Sequence, residues 1–166
     1  GDRKLANDKL QIMKDELIDL LLSTEREGID KLVEWLENTD FFVAPASTNK
    51  HAAYEGGLLN HSLSVYRVLQ NFSKPLKDLD PNSVIICGLL HDVCKANFYT
   101  KEIRNRKLPG EKKWEEVEVY VINDQFPFGH GEKSVYLISK YIDLTEEEAM
   151  AIRWHMGGYD DASRSY

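Results

Sequence analysis

Residues 88–97 read GLLHDVCKAN, an apolar run that ends abruptly at His91 and Asp92. Together with the preceding SVIIC (83–87), the run is apolar almost all round and predicts a buried helix. On that helix Lys95 would share a face with the pair, because it follows them by four and three residues. Imidazole and carboxylate groups bind metals, and an adjacent ammonium group would stabilise phosphate charge or protonate a leaving group. The stretch therefore indicates a metal-dependent site at the end of a core helix.

Length and composition indicate one globular domain without a membrane span. The chain has 166 residues, 42% of them hydrophobic and 30% charged, and its net charge of −7 disfavours nucleic acid except at a local basic groove. No apolar stretch approaches the roughly 20 residues that cross a bilayer, and the polar N-terminus carries no signal peptide. Cys87 and Cys94 would stand about 10.5 Å apart along one helix, too far for a disulfide. Reduced thiols predict a cytoplasmic protein.

Helical periodicity dominates the first half of the chain. Apolar residues recur at three- and four-residue spacings up to residue 40, with a break at STEREG (23–28) that separates two helices. The same period returns in 58–72, where it continues through Leu69 and Phe72. Between these segments, 41–57 reads as a loop because proline and paired glycines interrupt it.

One β-hairpin is predicted within this helical chain. Val117, Val119 and Val121 alternate with polar or aromatic residues, and LPGE (108–111) carries the turn signal before them. Residues 98–123 therefore read as two strands joined by a turn. The fold class that follows is mainly α-helical with a small β-hairpin insertion.

The pattern returns to helices after the hairpin. EKSVYLISKYI (132–142) has helical spacing, and Thr145 with Glu148 forms a capping box at the start of a further helix. We predict a single domain over 1–166. Its parts are N-terminal helices (1–40), the segment with the first two ligand histidines (41–97), the hairpin (98–123) and the later histidine segments (126–166).

Five histidines supply further candidate ligands: His51, His61, His91, His130 and His155. The last four lie in or at the end of predicted helices. A single helical histidine is more often an ordinary hydrogen-bonded residue than a ligand. Four of them beside apolar segments, one followed by an aspartate, favour a shared metal site. We therefore expect these four histidines to converge in space.

The ordered pattern resembles the HD-domain metal-dependent phosphohydrolases. GGLLNHSLSV (56–65) is similar to the first-histidine helix of that superfamily, and GLLHDVCK (88–95) to its signature of an apolar run followed by His-Asp-x-x-Lys. FGHGEKS (128–134) and IRWHMGG (152–158) resemble the third and fourth histidine segments of its two-metal branches. The resemblance covers about residues 41–160. It implies an HD-type helical bundle.

The resemblance also implies roles for these residues. His61, His91 and Asp92 would bind a first metal, and Asp92 would bridge to a second one completed by His130 and His155. Imidazole and carboxylate ligands fit Mn, Fe, Co, Ni or Zn better than Mg or Ca, which prefer all-oxygen shells. Asp92 and Lys95 are the predicted catalytic residues.

Further positions are predicted to contact the substrate or to complete the first metal. Lys95 is the main candidate for a phosphate contact, and Lys50 and His51 are weaker ones. The family usually closes its first metal with an aspartate on a helix well downstream of the last histidine. Either Asp160 or Asp161 takes that place, or the natural protein continues beyond Tyr166, which is the reading we favour.

The leading functional hypothesis is a phosphomonoesterase or phosphodiesterase that acts on a nucleotide or a nucleic-acid 3′ end. Its partners would be a phosphorylated small molecule or a short single-stranded nucleic acid, not a membrane. The alternative is a non-catalytic HD module that binds a nucleotide or a partner, with metal as a structural element. A third hypothesis, processing of longer RNA, requires a basic groove. Its candidates on the hairpin are Arg104, Arg106, Lys107, Lys112 and Lys113, which an ordinary solvated hairpin also explains.

Overall fold

The structure is a computed structural model, and it describes residues 1–48, 53–107, 110, 114–123 and 129–154. The helices are α1 (Asp2–Ser23), α2 (Ile29–Asn38), α3 (Gly57–Ser73), α4 (Pro81–Leu90), a 3-10 turn (Val93–Lys95), α5 (His130–Ser139) and α6 (146–154). The strands are β1 (Tyr99–Lys107) and β2 (Trp114–Ile122). The predicted mainly α-helical fold with one hairpin is confirmed. The single-domain boundaries over 1–166 stay a prediction.

One hydrophobic core joins the helices of the described part of the chain. Leu17 and Leu21 of α1 and Leu32 and Leu36 of α2 are fully buried, as their spacing predicts. Five of the ten residues of α4 are buried and the others except Pro81 are partly buried, which agrees with its lack of a polar face. None of the described helices is both long and apolar enough to cross a bilayer. The core therefore surrounds α4, whose end carries the His-Asp pair.

The buried face of α3 differs from the predicted one. Leu69 is 38% exposed and Phe72 is 74% exposed, although the helical period was right. The apolar period of the helix therefore continues past its buried part. The buried residues lie in the first half of α3, which is the half that contains His61.

Gly88 sets the separation between α3 and α4. A Cβ atom on Gly88 would lie 2.8 Å from the Cα of Tyr66, closer than such atoms approach in proteins. We expect Gly88→Ala to force the helices apart and to destabilise the protein by about 1–3 kcal/mol. Chemical denaturation measures this loss. Because His61 lies on α3 and His91 directly follows α4, metal affinity should fall too. Unchanged stability would contradict the close packing.

The helix that leads to the His-Asp pair is shorter than predicted. The sequence predicts one helix through Lys95, but α4 ends at Leu90 and a 3-10 turn follows. The cause is the hydroxyl group of Ser134, which accepts the Cys94 N–H at 3.1 Å and donates to the His91 carbonyl at 3.0 Å. Both backbone groups would otherwise join the next helical turn. The prediction was wrong here because this competing partner lies on α5.

The two strands form an isolated antiparallel hairpin, with Tyr99 opposite Ile122 and Lys107 opposite Trp114. Arg104 lies 3.4 Å from Glu102, and Arg106 contacts the carboxylate of Glu115 across the strands. These ion pairs neutralise part of the positive charge of the hairpin, which favours an ordinary solvated hairpin over a groove that binds nucleic acid. Lys112 and Lys113 lie outside the described residues. A nucleic-acid partner is not supported.

Candidate functional site

Three predicted ligands converge at the end of α4. The Nε2 atom of His61 lies 3.0 Å from Oδ2 of Asp92, and the Nε2 atom of His91 lies 3.2 Å from the same oxygen. Within the described ranges, these three side chains form the one group of histidine, cysteine and acidic residues that could hold a metal ion. Two ligand atoms at about 2.1 Å from one ion, at right angles, stand about 3.0 Å apart. The observed spacings match that arrangement.

The ring of His91 is oriented by the backbone of its own helix. Its Nδ1 atom lies 2.9 Å from the carbonyl oxygen of Gly88. A carbonyl oxygen only accepts, so Nδ1 carries the proton, and in the neutral ring Nε2 presents a lone pair. That lone pair faces the carboxylate of Asp92, and two acceptors repel each other unless a cation lies between them. A proton or a metal ion fits this position, and the fixed tautomer is the one that a metal requires.

Asp92 is the buried centre of the group. Its side chain is 3% exposed, and Oδ1 has no hydrogen-bond partner among the described residues. Burial opposes its ionisation, but the adjacent imidazoles of His61 and His91 and the charge of Lys95 hold its pKa well below the usual range. A buried carboxylate oxygen without a partner is costly unless a cation compensates it. The donor set and its burial therefore fit a metal ion.

Lys95 lies beside the carboxylate, as the sequence predicts, although the intervening backbone is not α-helical. Its Nζ atom is 3.8 Å from Oδ2 of Asp92 and donates to the carbonyl oxygen of Ala46 at 2.8 Å. The hydroxyl of Tyr99 donates to the same carbonyl at 3.1 Å. The loop after α2 is thus tied to the site by two hydrogen bonds. The sequence analysis did not identify Tyr99, which is the first residue of β1 and is buried.

His130 starts α5, as predicted, but it is not part of the three-residue group. Its Nδ1 atom lies 3.7 Å from the sulfur of Cys94, and its ring packs edge-on against Phe98 with centroids 5.1 Å apart. A ligand role at a second metal stays a prediction. The buried Lys133, one turn later, has its Nζ atom 5.3 Å from the Phe98 ring centroid. A buried ammonium group brings further positive charge to this side of the site.

Several predicted site residues lie outside the described part of the chain: Lys50, His51, His155, Asp160 and Asp161. Their proposed roles stay predictions.

Both cysteines are free, and burial raises the pKa of each thiol to about 12. The sequence reasoning missed Ser134, which shapes the His-Asp turn. It stands four residues after His130 in FGHGEKS, a spacing that puts both residues on one helical face.

Comparison with known proteins gives two matches. The sequence profile of the family described as HD domain matches residues 58–165. A stretch of 65 residues, 36% of this chain, is 37% identical to dihydroneopterin 2′,3′-cyclic phosphate phosphodiesterase of Methanocaldococcus jannaschii. It covers 26% of that protein, so the chain corresponds to about a quarter of its relative's length. No solved structure matches the chain significantly.

Proposed function

Because the chain belongs to the HD domain family, we propose that it is a divalent-metal-dependent phosphohydrolase. The observation that carries this proposal is the group formed by His61, His91 and Asp92, whose ligand atoms lie within 4.8 Å of one another. HD domains bind divalent metals, and this donor set suits Mn, Fe, Co, Ni or Zn. The proposal therefore rests on chemistry that the side chains present, in addition to family membership.

The metal-ligand group, Lys95 and the Gly88 carbonyl have separate proposed roles. His61, His91 and Asp92 would hold the ion, which supplies Lewis acidity toward a phosphoryl oxygen and a nucleophilic hydroxide at neutral pH. Lys95 places a positive charge beside them, where it would attract the substrate phosphate and stabilise charge on its oxygens. The Gly88 carbonyl keeps the His91 ring oriented. The core beneath Asp92 excludes water from one side and strengthens these electrostatic interactions.

The substrate class that we propose is a small phosphodiester, with a cyclic phosphate as the leading form. The relative from Methanocaldococcus jannaschii is named as a phosphodiesterase that acts on a cyclic phosphate of a small molecule. A phosphomonoester remains the second chemistry open to the same donor set. The paired arginines of the hairpin give no reason to prefer a long nucleic acid.

The test compares two chromogenic esters across metals. The full chain should hydrolyse bis-p-nitrophenyl phosphate when Mn, Co, Ni or Zn is supplied, more slowly with Mg, and not after chelation. Faster hydrolysis of p-nitrophenyl phosphate would identify a monoesterase instead. Metal binding without turnover of either ester would leave the non-catalytic module, with metal as a structural element, as the function.

The number of ions gives a separate prediction. If His130 and His155 complete a second site, His130→Ala and His155→Ala should each lower the metal content by about one ion per chain. The first ion should remain, because its three ligands are untouched. Elemental analysis of the purified variants measures this directly. The replacement His51→Ala is the control, and wild-type metal content in both variants would contradict the two-ion site.

A further inference from the structure

A cavity lies outside the metal-ligand group, between the β-hairpin on one side and residues 40–45 with Glu55 on the other. This hairpin cleft has a volume of about 200 Å³. Its walls combine two aromatic rings, two carboxylates, one ammonium group and aliphatic surface, from Asp40, Val43, Glu55, Tyr99, Lys101 and Tyr120. Sites for drug-sized ligands are typically about 300–1,000 Å³. The cleft therefore has room for a planar ring system but not for a whole nucleotide.

A chain of three contacts links the cleft to the metal-ligand group. The first contact, of 3.8 Å, joins Oδ2 of Asp92 to Nζ of Lys95. Nζ of Lys95 lies 2.8 Å from the carbonyl oxygen of Ala46. The same carbonyl oxygen lies 3.1 Å from the hydroxyl of Tyr99. The Tyr99 hydroxyl is therefore within about 10 Å of the Asp92 carboxylate. A ligand with its phosphate at Asp92 could place an attached ring beside Tyr99. The separation corresponds to a sugar-sized spacer.

The charged groups of the cleft are two carboxylates and one ammonium group. Glu55 is exposed and makes no hydrogen bond or ion pair with the described residues, so its carboxylate is available to a ligand. Asp40 uses Oδ1 to accept the Asn97 N–H at 2.5 Å, and this bond holds it in place. Lys101 has its Nζ atom 5.5 Å from the centroid of the Tyr120 ring, at the opposite strand position. The tyrosine rings provide stacking surfaces.

We propose that the hairpin cleft binds the heterocyclic base of the phosphorylated substrate and selects the 2-amino-4-oxopyrimidine edge that guanine and pterins share. The inference rests on the proposed function, since the phosphate is placed at the metal-ligand group. Such an edge presents an amino group and a ring N–H side by side, which match the carboxylate of Glu55. Its oxo group accepts from the ammonium of Lys101. Adenine offers an acceptor nitrogen beside its amino group, and uracil has no amino group.

The experiment measures the affinity of the full chain for three nucleotides by calorimetry. Guanosine, inosine and adenosine 5′-monophosphates carry the same phosphate and differ at the base edge. Inosine lacks only the amino group, so the guanosine nucleotide should bind at least about tenfold more tightly than the other two. Neopterin monophosphate is the second arm. Tighter binding of it than of the guanosine nucleotide would identify a pterin, and weaker binding a guanine nucleotide.

Glu55→Gln tests directly whether the carboxylate of Glu55 recognises the base. The amide faces the donor edge with its own N–H group, so the preference for guanosine over inosine should fall to about twofold or less. Glu118→Gln is the control, because Glu118 is exposed on β2 and does not line the cleft. Equal affinities for the three nucleotides in the wild type, or an unchanged preference in Glu55→Gln, would overturn the proposal.

The two proposals fail in different ways. Bis-p-nitrophenyl phosphate has no base, so its hydrolysis reports on the metal-ligand group, and Glu118→Gln, outside the cleft, should hydrolyse it at the wild-type rate. Hydrolysis of this ester without any base preference in binding would reject the cleft and leave the proposed function intact. A guanosine preference in a wild-type protein that hydrolyses neither ester would reject the enzyme and support the cleft as a binding site.

Discussion

Asp92→Ala should abolish metal binding and phosphodiester hydrolysis together. Asp92 contacts both histidines through one oxygen, and its other oxygen is buried without a partner in the described structure. Loss of an outer partner of a metal ligand typically costs about 10–100-fold in affinity or activity, so loss of the central ligand should cost at least about 100-fold. Elemental analysis and turnover of bis-p-nitrophenyl phosphate measure the two effects.

The matched control is Asp78→Ala, which removes an exposed aspartate from the turn between α3 and α4. It should keep wild-type metal content and turnover. Circular dichroism of Asp92→Ala shows whether the variant is folded, since a folded protein without metal separates a ligand role from a structural one. Retained metal with near-normal turnover would contradict the central role of Asp92.

The largest expected loss of stability comes from Glu148→Gln. The carboxylate of Glu148 is 1% exposed and accepts bonds from Arg26 at 2.6 and 2.9 Å, from Ser83 at 2.6 Å and from the Thr145 N–H at 2.9 Å. It joins α6 to the start of α4 and to the turn between α1 and α2. Breaking one member of such a pair leaves a charge that is partly buried, and we expect a loss of about 3 kcal/mol. Glu147→Gln, on an exposed neighbour, should change stability by less than about 0.5 kcal/mol.

The same carboxylate predicts a dependence of stability on pH. Burial opposes its ionisation, but hydrogen bonds from Arg26, Ser83 and Thr145 lower the pKa of Glu148 to about 2, from an ordinary value of 4.5. The folded state therefore binds the proton less tightly than the unfolded state does. The contribution, about 3 kcal/mol, is complete above about pH 5 and decreases as the pH falls toward 2. The stability difference between wild type and Glu148→Gln should be roughly halved at pH 3, and a difference that grows there would contradict the assignment.

The sequence predicted local features well where local spacing determines them. The helical period located α1, α2 and α3, the valine alternation located the hairpin, and Thr145 with Glu148 formed the capping box as predicted. The pairing of His91 with Asp92 and the position of Lys95 were also correct as neighbours in space. These features depend on residues that lie within a few positions of one another.

The remaining features depend on partners that are distant in sequence. Nothing near Leu90 signals the end of α4, because Ser134, 43 positions after His91, is the group that competes for its backbone. The apolar period of α3 continues to Phe72, which is exposed, because the period alone does not show which part of a helix another element covers. Similarly, the capping box gave no sign that Glu148 also binds Arg26, 122 positions earlier. Such contacts become visible only when the elements are packed.

The hydroxyl bridge of Ser134 has a consequence for the order in which the site is assembled during synthesis. His61, His91 and Asp92 all leave the ribosome well before α5, yet the turn that aims the carboxylate is held by a residue of α5. Until α5 docks, Cys94 and His91 lack the bond that ends α4, and the nascent turn can continue as a helix with Asp92 pointing elsewhere. The proposed metal site would therefore reach its full geometry late, after the hairpin and α5 have emerged, and an incomplete chain would hold its three ligands without the bond that orients them.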